Sequence, residues 1–164
     1  SELISAGVID FNATAKTSIQ VAAAAALAAT ANKRQAGVAQ VFQKAVTSAA
    51  NAGAVTLATI TTQACLIEAV TVKAVTAVQT DLTSAAVTGG ASSAVTFLSA
   101  TDAAKANITA IDQQVSWTPG GIAGAVELAA AKTIVMTLSG TGATAVDLLV
   151  TIKYRAAVDG GYLA

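Results

Sequence analysis

Strict alternation near the C-terminus is the sequence feature that most constrains the fold. Between residues 146 and 155 an apolar side chain occupies every second position, namely Val146, Leu148, Val150, Ile152 and Tyr154. The positions between them are polar except for Leu149. A period of two residues is typical of a strand with one buried face in an antiparallel sheet. The pattern therefore excludes an all-helical fold.

Further strands are predicted upstream of this one. Runs rich in valine, isoleucine and threonine, which favour strands, are separated by turn residues and cover 55–62, 65–78, 82–88, 95–98, 108–118 and 126–138. One helical turn is predicted at 101–107. The last two strands, 126–138 and 145–156, are expected to form a hairpin through the glycine turn 139–144. The sequence thus predicts an antiparallel, jelly-roll-like β-sandwich over residues 53–164.

Residues 1–52 follow a different pattern and are predicted to form an arm followed by alanine-rich helices. The alanine run at 20–31 has high helix propensity, and apolar residues recur every three or four positions from Val38 to Ala49. The apolar residues 1–11 are expected either to pack on a neighbouring chain or to form an edge strand of their own sheet. Alanine buries little apolar area, so these helices are expected to rest on another surface.

The composition restricts the chemistry that the chain can perform. It contains no histidine, which removes Ser-His-Asp and Cys-His catalysis and most zinc, copper and non-haem iron sites. Nine basic and nine acidic residues cancel, and no basic run suggests nucleic-acid binding. The alanine-rich window 17–32 is too polar to span a bilayer. We therefore expect no enzyme activity, no cofactor, no metal, and neither nucleic acid nor membrane as a partner.

Three local features have competing interpretations. Cys65 lies in an apolar run and is expected to be a buried hydrophobe, not a reactive thiol. Residues 140–145 match the dinucleotide-binding pattern G-x-G-x-x-A, but a strand and not a helix is predicted next, which favours a hairpin turn. Trp117 precedes Pro119, Gly120 and Gly121. It is expected to be a core or subunit-contact residue, with a sugar-binding groove as the alternative.

Several segments of the C-terminal two-thirds also carry a family resemblance. They are 58–67 (ATITTQACLI), 140–144 (GTGAT) followed by 146–148 (VDL), and the closing 154–155 (YR) and 159–163 (DGGYL). With these segments, residues 54–164 resemble the small capsid-decoration (cement) or head-fibre proteins of tailed bacteriophages. The resemblance implies a non-enzymatic virion protein at the capsid surface, made in the host cytoplasm. Such a protein forms dimers or trimers and binds across contacts between major capsid proteins.

A set of large apolar residues is hypothesised to form the interfaces with the capsid and with other copies: Leu3, Ile4, Val8, Ile9, Phe11, Val38, Val41, Phe42, Trp117 and Tyr162. Two other functions remain open at this point. One is a receptor- or glycan-binding fibre or tail module on a jelly-roll scaffold, which saccharide binding through Trp117 would favour. The other is a carboxylate-based glycoside hydrolase. It requires two acidic groups facing each other across a cleft, of which the sequence gives no sign.

Overall fold

The computed structural model describes residues 36–47, 51–76, 82–90, 95–120, 125–143 and 146–164. These residues form ten strands: β1 (Ala39–Val46), β2 (Asn51–Thr61), β3 (Cys65–Ala74), β4 (Leu82–Gly90), β5 (Val95–Leu98), β6 (Gln114–Trp117), β7 (Val126–Leu128), β8 (Thr133–Ala143), β9 (Leu148–Ala156) and β10 (Tyr162–Leu163). One turn of 3₁₀ helix, Lys105–Asn107, lies between β5 and β6. The prediction of a mainly β protein is confirmed.

The strands form two antiparallel sheets of five strands each. Sheet A has the order β1-β9-β3-β6, and β7 pairs with β3 beside β6. Sheet B has the order β10-β2-β8-β4-β5. The pairing is nested: β1 pairs with β9, β2 with β8, β3 with β6 and β7, and β4 with β5. The chain therefore passes repeatedly from one sheet to the other.

One hydrophobic core unites the inward faces of the two sheets. Sheet A contributes the alternating residues of β9, of which Leu148 and Ile152 are fully buried. Sheet B contributes the alternating residues of β8, including Ile134 and Met136. Burying each such side chain stabilises the fold by about 1.5–3 kcal/mol. The predicted assignment of faces in β9 is confirmed, because every apolar residue of its alternating set is buried.

The sandwich has two lateral sides, which the edge strands define. On one side β1 of sheet A contacts β2 of sheet B, with β10 beyond it. On the other side β6 of sheet A contacts β5 of sheet B. There Phe97 and Trp117 form an edge-to-face pair, with ring centroids 4.8 Å apart and ring planes at 72°. This aromatic contact joins β5 of sheet B to β6 of sheet A.

The helix predicted from the spacing of residues 38–49 is wrong, because residues 39–46 form strand β1. In β1, Phe42 lies opposite Ile152 and Val46 lies opposite Leu148. Phe42 and Val46 are four residues apart, a spacing that places two side chains on one face of a helix and also on one face of a strand. Because β9 offers an edge with which this segment can pair, the segment forms a strand. Tertiary pairing thus overrides the helix propensity of alanine. The helix predicted at 20–31 and the arm at 1–11 lie outside the described residues.

The predicted C-terminal hairpin is also wrong. Residues 126–138 are not one strand: β7 lies in sheet A and β8 in sheet B, separated by a turn in which Ala131 has a φ of 64°. Both edges of β8 are occupied by β2 and β4, and both edges of β9 by β1 and β3. These two strands consequently cannot pair with each other. Within 108–118, only Gln114–Trp117 is a strand, whereas the helical turn predicted at 101–107 is present in part.

Candidate functional site

The two sheets differ sharply in charge. No strand of sheet B contains a charged residue. The strands of sheet A contain Lys44, Glu68, Lys73, Glu127, Lys153 and Arg155. The register of sheet B directs threonines outward, and we call this surface the threonine face: Thr56, Thr59, Thr61, Thr88, Thr96, Thr133 and Thr137. The strands of sheet B therefore contribute no charge to its outward side.

The outward side of sheet A is polar and internally paired. Arg155 forms an ion pair with Glu68, and Lys73 Nζ lies 2.6 Å from Asp112 Oδ1. Thr71 Oγ1 and Ser116 Oγ are 2.9 Å apart across the strands β3 and β6. Charged groups lose favourable hydration when they are buried, so this side suits contact with water.

The β1 edge is a second exposed feature. β1 is the terminal strand of sheet A, and among the described strands only β9 pairs with it. Val41 on this strand is 64% exposed, and Val38 just before it is 39% exposed. Phe42 is half-buried and packs against the core. A long edge strand with exposed apolar side chains is a site at which another strand can add.

The hypothesised interface residues do not all lie on one surface. Leu3, Ile4, Val8, Ile9 and Phe11 lie outside the described residues. Val38, Val41 and Phe42 lie at the β1 edge. Tyr162 on β10 pairs with Thr61 and lies at the same lateral side, beside the threonine face. Trp117 lies at the opposite side, where it is half-buried against Phe97.

The structure shows little reactive chemistry in the part of the chain that it describes. Cys65 is fully buried, and burial raises the pKa of its thiol to about 11, as the buried-hydrophobe interpretation requires. Burial likewise raises the pKa of Tyr154. The described residues contain no cluster of three or more metal-ligating side chains. Nor does the described part of the chain contain a helix with the length and apolar character needed to cross a membrane.

A groove of about 460 Å³ lies beside the aromatic pair, between β5 and β6, and we call it the Trp117 groove. Its lining residues are Phe97, Leu98, Asp102, Asn107, Val115, Ser116, Trp117 and Thr118. Sequence reasoning singled out Trp117 but missed Asp102 and Asn107, which join it only through the fold. The Ser-x-x-Asp spacing at 99–102 was the available signal, since it is the pattern of a capping box.

Ser99 and Asp102 form the reciprocal hydrogen bonds of a capping box, each bonding to the backbone N–H of the other. Ser99 donates from its backbone N–H and from Oγ to Asp102 Oδ2, at 3.2 and 2.6 Å. The Asp102 N–H donates to Ser99 Oγ at 3.1 Å. The hydrogen bonds from the Ser99 hydroxyl and backbone lower the pKa of Asp102. The groove therefore contains a carboxylate that stays ionised at neutral pH.

Comparison with known proteins identifies similar solved structures. No protein-family model matches the chain, and no curated protein matches it. The fold is similar to a chain of the acidic stable capsid structure of Helicobacter pylori bacteriophage KHP30, at 11% identity and a TM-score of 0.49, covering 79% of this chain and 94% of that one. It is also similar to a chain of the cyanophage Pam1 capsid asymmetric unit, at 19% identity and a TM-score of 0.48, covering 74% and 86%.

Proposed function

We propose that this protein is a non-enzymatic structural protein of a bacteriophage virion that decorates the capsid and binds across contacts between major capsid proteins. The observation that carries the proposal is the difference in charge between the sheets. A solvated surface normally mixes charges of both signs. An uncharged face, by contrast, can be buried against another protein without desolvating ions. Sheet B has such a face and sheet A does not.

The strand order supports the jelly-roll assignment that accompanies this function. When β6 and β7 are counted as one interrupted strand, the described fold has eight main strands with β10 added at the edge of sheet B. The first then pairs with the eighth, the second with the seventh, the third with the sixth and the fourth with the fifth. This nesting is the pattern of a jelly roll, an architecture that is frequent in viral capsid and lectin domains.

In the proposed arrangement the threonine face lies on the capsid and sheet A faces the solvent. Threonine hydroxyls can donate and accept hydrogen bonds at the contact, so the face need not leave unpaired polar groups. Tyr162 lies at the border of this face and supplies a large amphipathic side chain, a type that interfaces favour. The β1 edge contacts a second copy of the protein. Leu3, Ile4, Val8, Ile9 and Phe11 form the arm that docks on the capsid or on a neighbouring copy.

Co-sedimentation with empty, expanded capsids of the source particle tests this arrangement. The informative variant is Thr137→Arg, which places a charge at an exposed position on the central strand β8 of sheet B. We expect capsid affinity to fall at least about tenfold, because a buried unpaired charge costs more than the ~1.4 kcal/mol that this factor represents. The matched control is Thr151→Arg, on the outward side of the interior strand β9 in sheet A.

The two variants separate the possible outcomes. Loss of binding in Thr137→Arg with retention in Thr151→Arg supports the proposal, provided that both variants melt as the parent does. Equal binding by both variants overturns the assignment of the threonine face. Light scattering of the protein with and without capsids tests the wider function. A stable monomer that does not co-sediment with capsids overturns the decoration role altogether.

A further inference from the structure

The Trp117 groove has the location and size of a ligand-binding site. It opens where the edge of sheet A meets the edge of sheet B, opposite the β1 edge. Its volume of about 460 Å³ falls within the ~300–1,000 Å³ that is typical of small-molecule sites. The groove lies apart from both the threonine face, which is proposed to contact the capsid, and the β1 edge, which is proposed to contact a second copy. A ligand bound there is therefore compatible with decoration of a capsid but does not depend on it.

An aromatic platform forms one part of the groove. Phe97 is buried and fixes the position of Trp117 through the edge-to-face contact. Trp117 itself is only partly buried. An indole ring held by such packing loses little conformational freedom on binding. Its apolar surface can receive the C–H groups of a sugar ring, while hydroxyl groups around the ring require polar partners.

Polar partners are held in place beside this platform. Both hydrogen bonds from Ser99 reach Oδ2 of Asp102, and no described residue donates to Oδ1. Asn107 donates from Nδ2 to the carbonyl oxygens of Asp102, at 2.9 Å, and of Thr101, at 3.4 Å. The Oδ1 atom of Asn107 likewise accepts from no described residue. Two acceptor oxygens are thus pre-positioned with their side chains already fixed.

The charge of the groove limits the ligand further. Asp102 is negative, and no described lining residue is a lysine or an arginine. An anionic ligand such as a phosphate or an acidic polysaccharide would meet a like charge without a compensating cation. We propose that the Trp117 groove binds a neutral saccharide, with the ring against Trp117 and sugar hydroxyl groups donating to Asp102 and Asn107.

Intrinsic fluorescence provides a direct test, because Trp117 is the only tryptophan in the chain. The intact protein is titrated with neutral glucans, galactans and mannans, with their monosaccharides, and with heparin as an anionic comparison. We expect a saturable change in tryptophan emission for at least one neutral saccharide, with a dissociation constant of about 1 mM or lower. Binding of the oligosaccharide but not of its monosaccharide identifies a surface polymer as the source, whereas equal binding identifies a free sugar.

Matched variants assign the response to the groove. Asp102→Asn keeps the shape of the side chain and an acceptor for Ser99 but replaces the second oxygen by a donor. We expect it, like Asn107→Ala, to weaken binding by about tenfold or more. Lys153→Ala, on the outward side of β9 and away from the groove, should bind as the parent does. The proposal is overturned if no neutral saccharide gives a saturable response, if only heparin binds, or if Asp102→Asn binds with unchanged affinity.

Discussion

Gly161 provides a sharp test of how the C-terminus packs on the sandwich. It is buried and directly precedes β10. A Cβ atom at this position would lie 2.6 Å from the carbonyl oxygen of Ala64, 3.0 Å from that of Gln63 and 3.2 Å from Cys65 Sγ. The two closest atoms belong to the backbone between β2 and β3. They cannot rotate away as the end of a flexible side chain can.

The expected penalty follows from these contacts. The Ala64 carbonyl accepts a hydrogen bond from the Ala157 N–H at 2.9 Å, so moving it to relieve the clash also strains that bond. Displacing Gly161 instead disturbs the pairing of Tyr162 with Thr61. Overpacking of this kind costs about 1–3 kcal/mol. For a chain of this size, Gly161→Ala should therefore lower Tm by roughly 2–12 °C.

Thermal unfolding followed by circular dichroism measures this effect, and Gly120→Ala is the matched control. A Cβ at Gly120 meets no atom within 4 Å. The control should therefore stay within about 0.5 kcal/mol of the parent. If Gly161→Ala melts within about 1 °C of the parent, or if the control loses as much stability, the close approach does not hold in solution.

Two further predictions concern the core. Ile152→Ala should lower the free energy of unfolding by about 2–5 kcal/mol, because Ile152 is fully buried. The neighbouring Lys153→Ala should change it by less than about 0.5 kcal/mol, and equal urea midpoints for the two variants would contradict the assigned faces. Burial raises the pKa of Cys65 from 9.0 to about 11, so the folded state keeps a proton that the unfolded state loses, and stability should fall as the pH rises through this interval. Urea midpoints should fall less steeply in Cys65→Ala, and an undiminished slope would show that another group is responsible.

The sequence predicts individual strands well where one face is buried. In β9 the alternation directly reports which side chains enter the core, and the structure confirms it. The alternation does not report which strand lies alongside. The glycine-rich residues 139–143, predicted to form a turn, instead continue strand β8, where Ser139 and Gly140 pair with β4. The hairpin prediction failed for that reason.

The predictions for β1 and for the candidate sites depended on tertiary contacts that no local pattern contains. Phe42 and Val46 satisfy both a helical and an extended period, and the register with β9 selects the extended one. Asp102 and Trp117 meet in one groove only because β5 and β6 lie at the same side of the sandwich. The absence of charge from β2, β4, β5, β8 and β10 is visible in the sequence. It becomes a surface property only once these strands are known to share a sheet.

The lengths of the edge strands limit how copies of this protein can join through their sheets. Sheet B ends in β10 and β5, of two and four residues, and the far edge of sheet A is divided between β6 and β7, of four and three residues. β1, with eight residues, offers one long open edge, and β2 offers another, because β10 pairs with only Ile60 and Thr61 of its eleven residues. Both edges lie at the lateral side where β1 contacts β2. A second copy that meets this side about a two-fold axis can therefore extend both sheets of the sandwich at once.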